Sequence, residues 1–187
     1  MQYTYRINDT SGELTLAGPG KILTNRRVDA FAMAPAGRYL FFMDWDKPTT
    51  WQTDQVTGLP REVAQGAATD SDGYALAVDP RGKFLISYQI SLDYGGGLAV
   101  YRIAADGKLT EVPGSPSQTF APDPGGMIVF APSGKFLYLT TFENRRVTMD
   151  PVSGQLTEAD YLVFDDGTEE GSLSFGDDIR SMTITGR

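Results

Sequence analysis

The 187-residue sequence contains no cysteine and no histidine. The first absence removes disulfides, thiolate nucleophiles and cysteine-based metal sites together. The second removes the general base best suited to neutral pH and the commonest metal ligand. Any catalysis must then rest on carboxylates, Arg, Lys, Tyr, Ser or backbone groups. No metal site or cofactor is expected. Long apolar runs are also missing, so no segment reaches the ~18 residues a membrane-spanning helix needs. Met1 to Arg6 has neither a basic start nor an apolar stretch, so no signal peptide is read there. The cytoplasm is the expected compartment, with a secreted bacterial protein left open.

Positive charge is scarce. Sixteen Lys and Arg face 24 Asp and Glu, for a net charge of −8. The densest basic runs are the pairs Arg26-Arg27 and Arg145-Arg146. No basic stripe offsets the acidic surface, which argues against nucleic-acid binding and against docking on an anionic membrane. Hydrophobic residues make up 41% and charged residues 21%, a globular composition with aromatics spread along the chain.

What the sequence does have is a repeat. Phe31–Phe42, Leu76–Ser87 and Ile128–Leu139 each read as an apolar strand, a Pro-x-Gly-basic turn and a second apolar strand. Proline presets φ at the turn entrance, glycine supplies positive φ at its end, and the following Arg or Lys is expected in solvent. A second landmark alternates with the first, a polar turn ending at Gly12, Gly58, Gly107 and Gly154, each preceded by a strand. The strands are read at Tyr3–Ile7, Leu98–Ile103 and Arg146–Met149, with a weaker one at Trp51–Thr53. The segment Leu173–Thr185 aligns without gaps on Ile128–Thr140, with Asp177 in place of the turn proline. It is read as a degenerate fourth copy.

The chain is therefore read as all-β. It is expected to be one β-propeller domain over 1–187, made of four tandem four-stranded blade units at about 1–47, 48–96, 97–143 and 144–187. With strands named a to d from the axis outward, the chain order is c-d-a-b. The first c-d pair and the last a-b pair would share a blade. The assembly is expected to be a closed four-bladed ring or half of a larger ring, and a homodimer is one form of the latter.

The motifs Pro80-x-Gly82-Lys83-Phe84-Leu85 and Pro132-x-Gly134-Lys135-Phe136-Leu137 resemble those of the lactonase-type propellers. So does Val100-Tyr101-Arg102-Ile103 followed by Gly107-Lys108-Leu109-Thr110. That family comprises 6-phosphogluconolactonase and 3-carboxymuconate cyclase relatives, and it is similar to YVTN-repeat surface proteins. The resemblance runs from end to end and implies the blade architecture and a lactone-related chemistry. It also implies a histidine in the muconate-cyclising branch. This sequence has none, so no catalytic residue is carried over and none is assigned.

A propeller gathers its b–c and d–a loops on one face around the channel, and function is expected there. The b–c loops are read at 44–47, 89–97 and 142–145. Asp44 and Asp46 flank Trp45, either as a carboxylate pair with an aromatic platform for a sugar or lactone, or as a polar strand end with packed Trp. Arg26, Arg27, Arg145 and Arg146, with Glu143 nearby, could hold a carboxylate or phosphate bidentately, or pair with acidic neighbours. Asp70-Ser71-Asp72-Gly73 resembles the opening of a calcium loop but lacks its remaining ligands, and Asp165–Glu170 is read as an exposed acidic run. Tyr88, Tyr94 and Gly95–Gly97 are read as a long connecting loop.

The functional expectation is a module binding a partner protein or a small acidic or sugar-like ligand on its loop face, without catalysis. Two alternatives stand beside it. One is a lactone hydrolase or muconate-type cycloisomerase using Arg and Asp or Glu. The other is a structural half-ring completed by further chains.

Overall fold

In the computed structural model the residues described are 5–18, 28, 30–44, 47–54, 56–66, 72–91, 95–115, 127–140 and 145–161. They form fourteen strands and, among the described residues, no helix. A two-stranded hairpin, β1 (Tyr5–Ile7) and β2 (Leu14–Leu16), opens the chain. Three four-stranded antiparallel sheets follow. The first blade is β3 (Ala30–Met33), β4 (Tyr39–Asp44), β5 (Lys47–Thr53) and β6 (Pro60–Gln65). The second is β7 (Asp72–Val78), β8 (Phe84–Ser91), β9 (Gly95–Ile103) and β10 (Leu109–Glu111). The third is β11 (Met127–Phe130), β12 (Phe136–Thr140), β13 (Arg145–Met149) and β14 (Leu156–Tyr161). The innermost strands pack in succession, β3 beside β7 and β7 beside β11.

This is the β-propeller architecture in the c-d-a-b phase. The hairpin is a c-d pair and each later sheet is a full a-to-d blade. Among the described residues the ring is not closed. The segment 173–185, read as the a-b pair that would complete the hairpin, lies outside them.

Both turn types follow from their side chains. In the a–b turns, Gly37, Gly82 and Gly134 have φ of 67°, 68° and 66°. Their N–H groups donate to Ala34, Asp79 and Ala131 carbonyls. Arg38, Lys83 and Lys135 after them are exposed. In the c–d turns, Asn8, Asp54 and Asp150 each accept two backbone N–H bonds on one side-chain oxygen, from residues two and three positions on. These are Asx turns, in which the side chain mimics a backbone turn. The same bonds lower the Asp54 and Asp150 carboxyls below their ordinary range.

The core lies between blades, and the second blade buries side chains on both of its faces. Tyr39 and Phe41 of the first blade cluster with Leu85, Tyr101 and Leu109 of the second. Phe84, Ile86 and Val100 of the second cluster with Leu137, Val147 and Met149 of the third. Alternation along each strand sends successive side chains to opposite neighbours.

Two expectations need correction. Residues 89–97, read as a loop, are mostly strand, since Gln89 pairs with Gly97, Ile90 with Gly96 and Ser91 with Gly95. A ladder uses backbone groups, which glycine has, so a glycine run flanked by apolar strands extends the hairpin. Tyr88, assigned to that loop, is a buried core residue. Likewise Asp72 and Gly73 open β7 rather than ending a calcium-like turn.

Candidate functional site

The b–c ends of the blades carry a group of buried polar residues. Asp44 closes β4, Gln89 lies near the end of β8, and Arg145 opens β13. All three are buried, at 8%, 2% and 8% exposure. They lie at the same end of their sheets, because strand b runs toward this end and strand c leaves it. Asp44 and Arg145 belong to the first and third blades, so they share a face of the assembly.

The local structure explains each position. Asp44 lies opposite Lys47 in the β4–β5 register. It shares a sheet face with Phe42 and Trp51, whose rings meet edge-on at 6.0 Å and 88°. On that face Trp51 Nε1 donates to Thr49 Oγ1 at 3.2 Å, and Thr49 Oγ1 donates to the Phe42 carbonyl at 3.3 Å. Gln89 Nε2 donates to Tyr101 Oη at 3.1 Å. Burial pushes the Tyr101 phenol up to about 12, with Gln89 opposing and the Glu111 charge adding to the rise.

Arg145 and Arg146 open β13. They are neighbours on a strand that pairs regularly with β12, Arg145 opposite Leu139 and Arg146 opposite Tyr138. Their side chains therefore leave on opposite faces. Arg145 points with Val147 and Met149 toward the second blade, whereas Arg146 lies on the far face, its guanidinium 5.3 Å from the Phe136 ring centre. Arg26, Arg27, Trp45, Asp46 and Glu143 lie outside the described residues.

The sequence reading missed Gln89, Ser87 and Asp79. Gln89 and Ser87 are hidden in an apolar strand, and no local signal distinguishes them. Asp79 was visible as the one acidic residue at a motif position held by Ala34 and Ala131 in the other copies. Fully buried, it accepts N–H bonds from Lys83 at 2.6 Å and Phe84 at 2.7 Å and pairs with Arg81 Nε at 2.9 Å. It sits at the a–b turns, away from the loop face, and holds the turn.

A cleft of about 240 Å³ lies between the second and third blades, lined by Leu98, Val100, the 112–115 turn and the 154–157 turn. No titratable side chain lines it. Among the described residues, no three of Asp and Glu gather as a metal site would require.

No family model and no curated relative matches the sequence. Solved structures do. A Lactobacillus plantarum protein superposes with a TM-score of 0.64 at 18% identity, over 85% of this chain and 48% of its own. A Bacteroides fragilis protein with an inferred 6-phosphogluconolactonase assignment gives 0.66 at 17%, over 82% and 46%. A Bacteroides uniformis protein with the same inferred assignment gives 0.57 at 20%, over 84% and 50%.

The chain thus has the β-propeller fold. It spans about half the length of these solved relatives, and its described residues supply three whole blades and the outer half of another.

Proposed function

We propose that this chain is a non-catalytic lactonase-like propeller module whose loop face binds a small acidic or sugar-like ligand. The observation that carries this reading is the buried Arg145 at the loop end of β13, with buried Gln89 and Asp44 at the same end of the other blades. A guanidinium held at a strand end offers fixed donors to a carboxylate or phosphate. Carboxylate and amide groups on neighbouring blades suit hydroxyl groups. The sequence has no histidine to act as a base at neutral pH. Ordinary carboxylates titrate near 4, too low for efficient base catalysis without strong desolvation.

The test is calorimetric titration with 6-phosphogluconate, gluconate and neutral gluconolactone. Binding of the anions that weakens at least tenfold in Arg145→Ala, with unchanged circular dichroism, supports the reading. Equal affinity in wild type and Arg145→Ala, or no binding of any of the three, contradicts it. Capture of a protein partner at this face without small-ligand binding points to the interaction form of the module.

The rival reading is a lactone hydrolase in which Arg145 holds the acid group and a desolvated carboxylate such as Asp44 is the base. The names of the solved relatives favour it. It requires turnover that falls in Asp44→Asn as well as in Arg145→Ala.

A further inference from the structure

The two contacts between whole blades are built from the same two halves. One half is the aromatic residue that opens strand b. The other is the c–d turn glycine of the following blade. Gly107 lies against Tyr39, where a Cβ would sit 2.9 Å from Cε1, and Gly154 lies against Phe84, where it would sit 2.5 Å from Cε1. Polar latches accompany them. Tyr39 Oη donates to the Ala105 carbonyl at 2.7 Å, and Arg102 donates to the Val152 carbonyl at 2.9 Å. The Arg6 guanidinium makes the equivalent contact to the Val56 carbonyl at 3.2 Å, which seats the hairpin against the first blade.

One copy of each half is left over. Phe136 opens strand b of the third blade. Gly12 is the c–d turn glycine of the hairpin, with φ of 72° and, among the described residues, nothing within 4 Å of its missing Cβ. The faces around them repeat the pattern. The Ile7–Leu14 rung corresponds to Ile103–Leu109 and Met149–Leu156. Tyr5 corresponds to Tyr101 and Val147. Tyr101, Leu109, Val147 and Met149 are buried against the preceding blade, whereas Tyr5, Ile7, Leu14 and Leu16 are between 48% and 66% exposed. Phe136 and Tyr138, whose counterparts Tyr39, Phe41, Phe84 and Ile86 are buried, are only half-buried. The two faces lie at opposite ends of the blade stack.

We propose that these two ends join between two copies of the chain, the Gly12 turn of each docking on Phe136 of the other. The joint is heterologous, front face on back face, so two copies make it twice and close a ring instead of growing a filament. A second copy is favoured over closure within one chain for two reasons. The hairpin face stays exposed although blade 3 belongs to the same chain. The chain also superposes over 82–85% of its length on solved structures of which that covers only 46–48%, so one further copy supplies about the missing length.

The experiment uses the whole chain. Light scattering on a sizing column reads the mass. The absence of native cysteine allows Ser11→Cys and Lys135→Cys to be made singly and mixed, and also together in one chain, and then treated with a short bismaleimide. The expected result is a mass about twice 20.4 kDa and a cross-linked two-chain product from the mixture. Ile7→Glu and Phe136→Glu, with wild-type circular dichroism, should each shift the mass to that of one chain. A single-chain mass for the wild type overturns the proposal, as does an open-ended series of masses. So does cross-linking found only within one chain carrying both cysteines, which would mean the hairpin docks on its own third blade.

Discussion

A Cβ on Gly154 would lie 2.5 Å from Cε1 of Phe84, closer than any real side chain approaches a ring. The glycine of one blade's outer turn is therefore also the contact surface of the blade before it. Its φ of 82° serves the turn, and its missing side chain serves the interface.

Gly154→Ala should consequently cost both a left-handed backbone penalty and an overpacking penalty, together about 2–4 kcal/mol. Gly114, at φ of 84° with nothing near its missing Cβ among the described residues, supplies the control. Gly114→Ala should cost only about 1–2 kcal/mol. Urea denaturation compares the two, and equal losses would mean that the Phe84 contact contributes nothing.

Asp79 predicts a different kind of loss. Its fully buried carboxylate holds the N–H groups of Lys83 and Phe84. Asp79→Ala strands them and should cost about 2–4 kcal/mol. Arg81→Ala leaves those bonds intact but removes a partly exposed partner of the buried carboxylate and its 3.3 Å bond to the Gly134 carbonyl, and should cost less, about 1–2 kcal/mol. Thermal unfolding of the two variants checks the order.

Tyr101 gives the pH dependence. Its phenol is raised from 10.0 to about 12 by burial. Between those values the unfolded chain loses the proton and the folded chain keeps it. The unfolded state then binds fewer protons, so stability falls as pH rises from 10 toward 12. The loss approaches about 2–3 kcal/mol at the upper end. Tyr101→Phe should flatten that slope while costing about 1 kcal/mol at neutral pH for the lost Gln89 bond. Phenolate absorbance, compared with unfolding curves at each pH, measures both.

The blade was legible in the sequence because its turns are chemical. Pro35, Gly37, Asp54 and Gly154 each leave one conformation available, and their spacing sets the strands between them. The 89–97 strand pair was not legible, because a glycine run carries no side-chain pattern and only the ladder reveals it. The candidate site was legible in part. Asp44 and Arg145 were picked out by type and position, but the split of Arg145 from Arg146 follows from strand alternation, which the register of β12 and β13 fixes. Gln89 reads as one polar residue among Ile86, Ser87, Tyr88 and Ile90, and only packing identifies it as part of the loop-end group.

The most direct test of the account is turnover on sugar and muconate lactones, followed as product acid above the spontaneous rate. The account predicts no acceleration, together with anion binding that depends on Arg145. Hydrolysis above background that disappears in Arg145→Ala and Asp44→Asn would contradict it and make this loop face an active site.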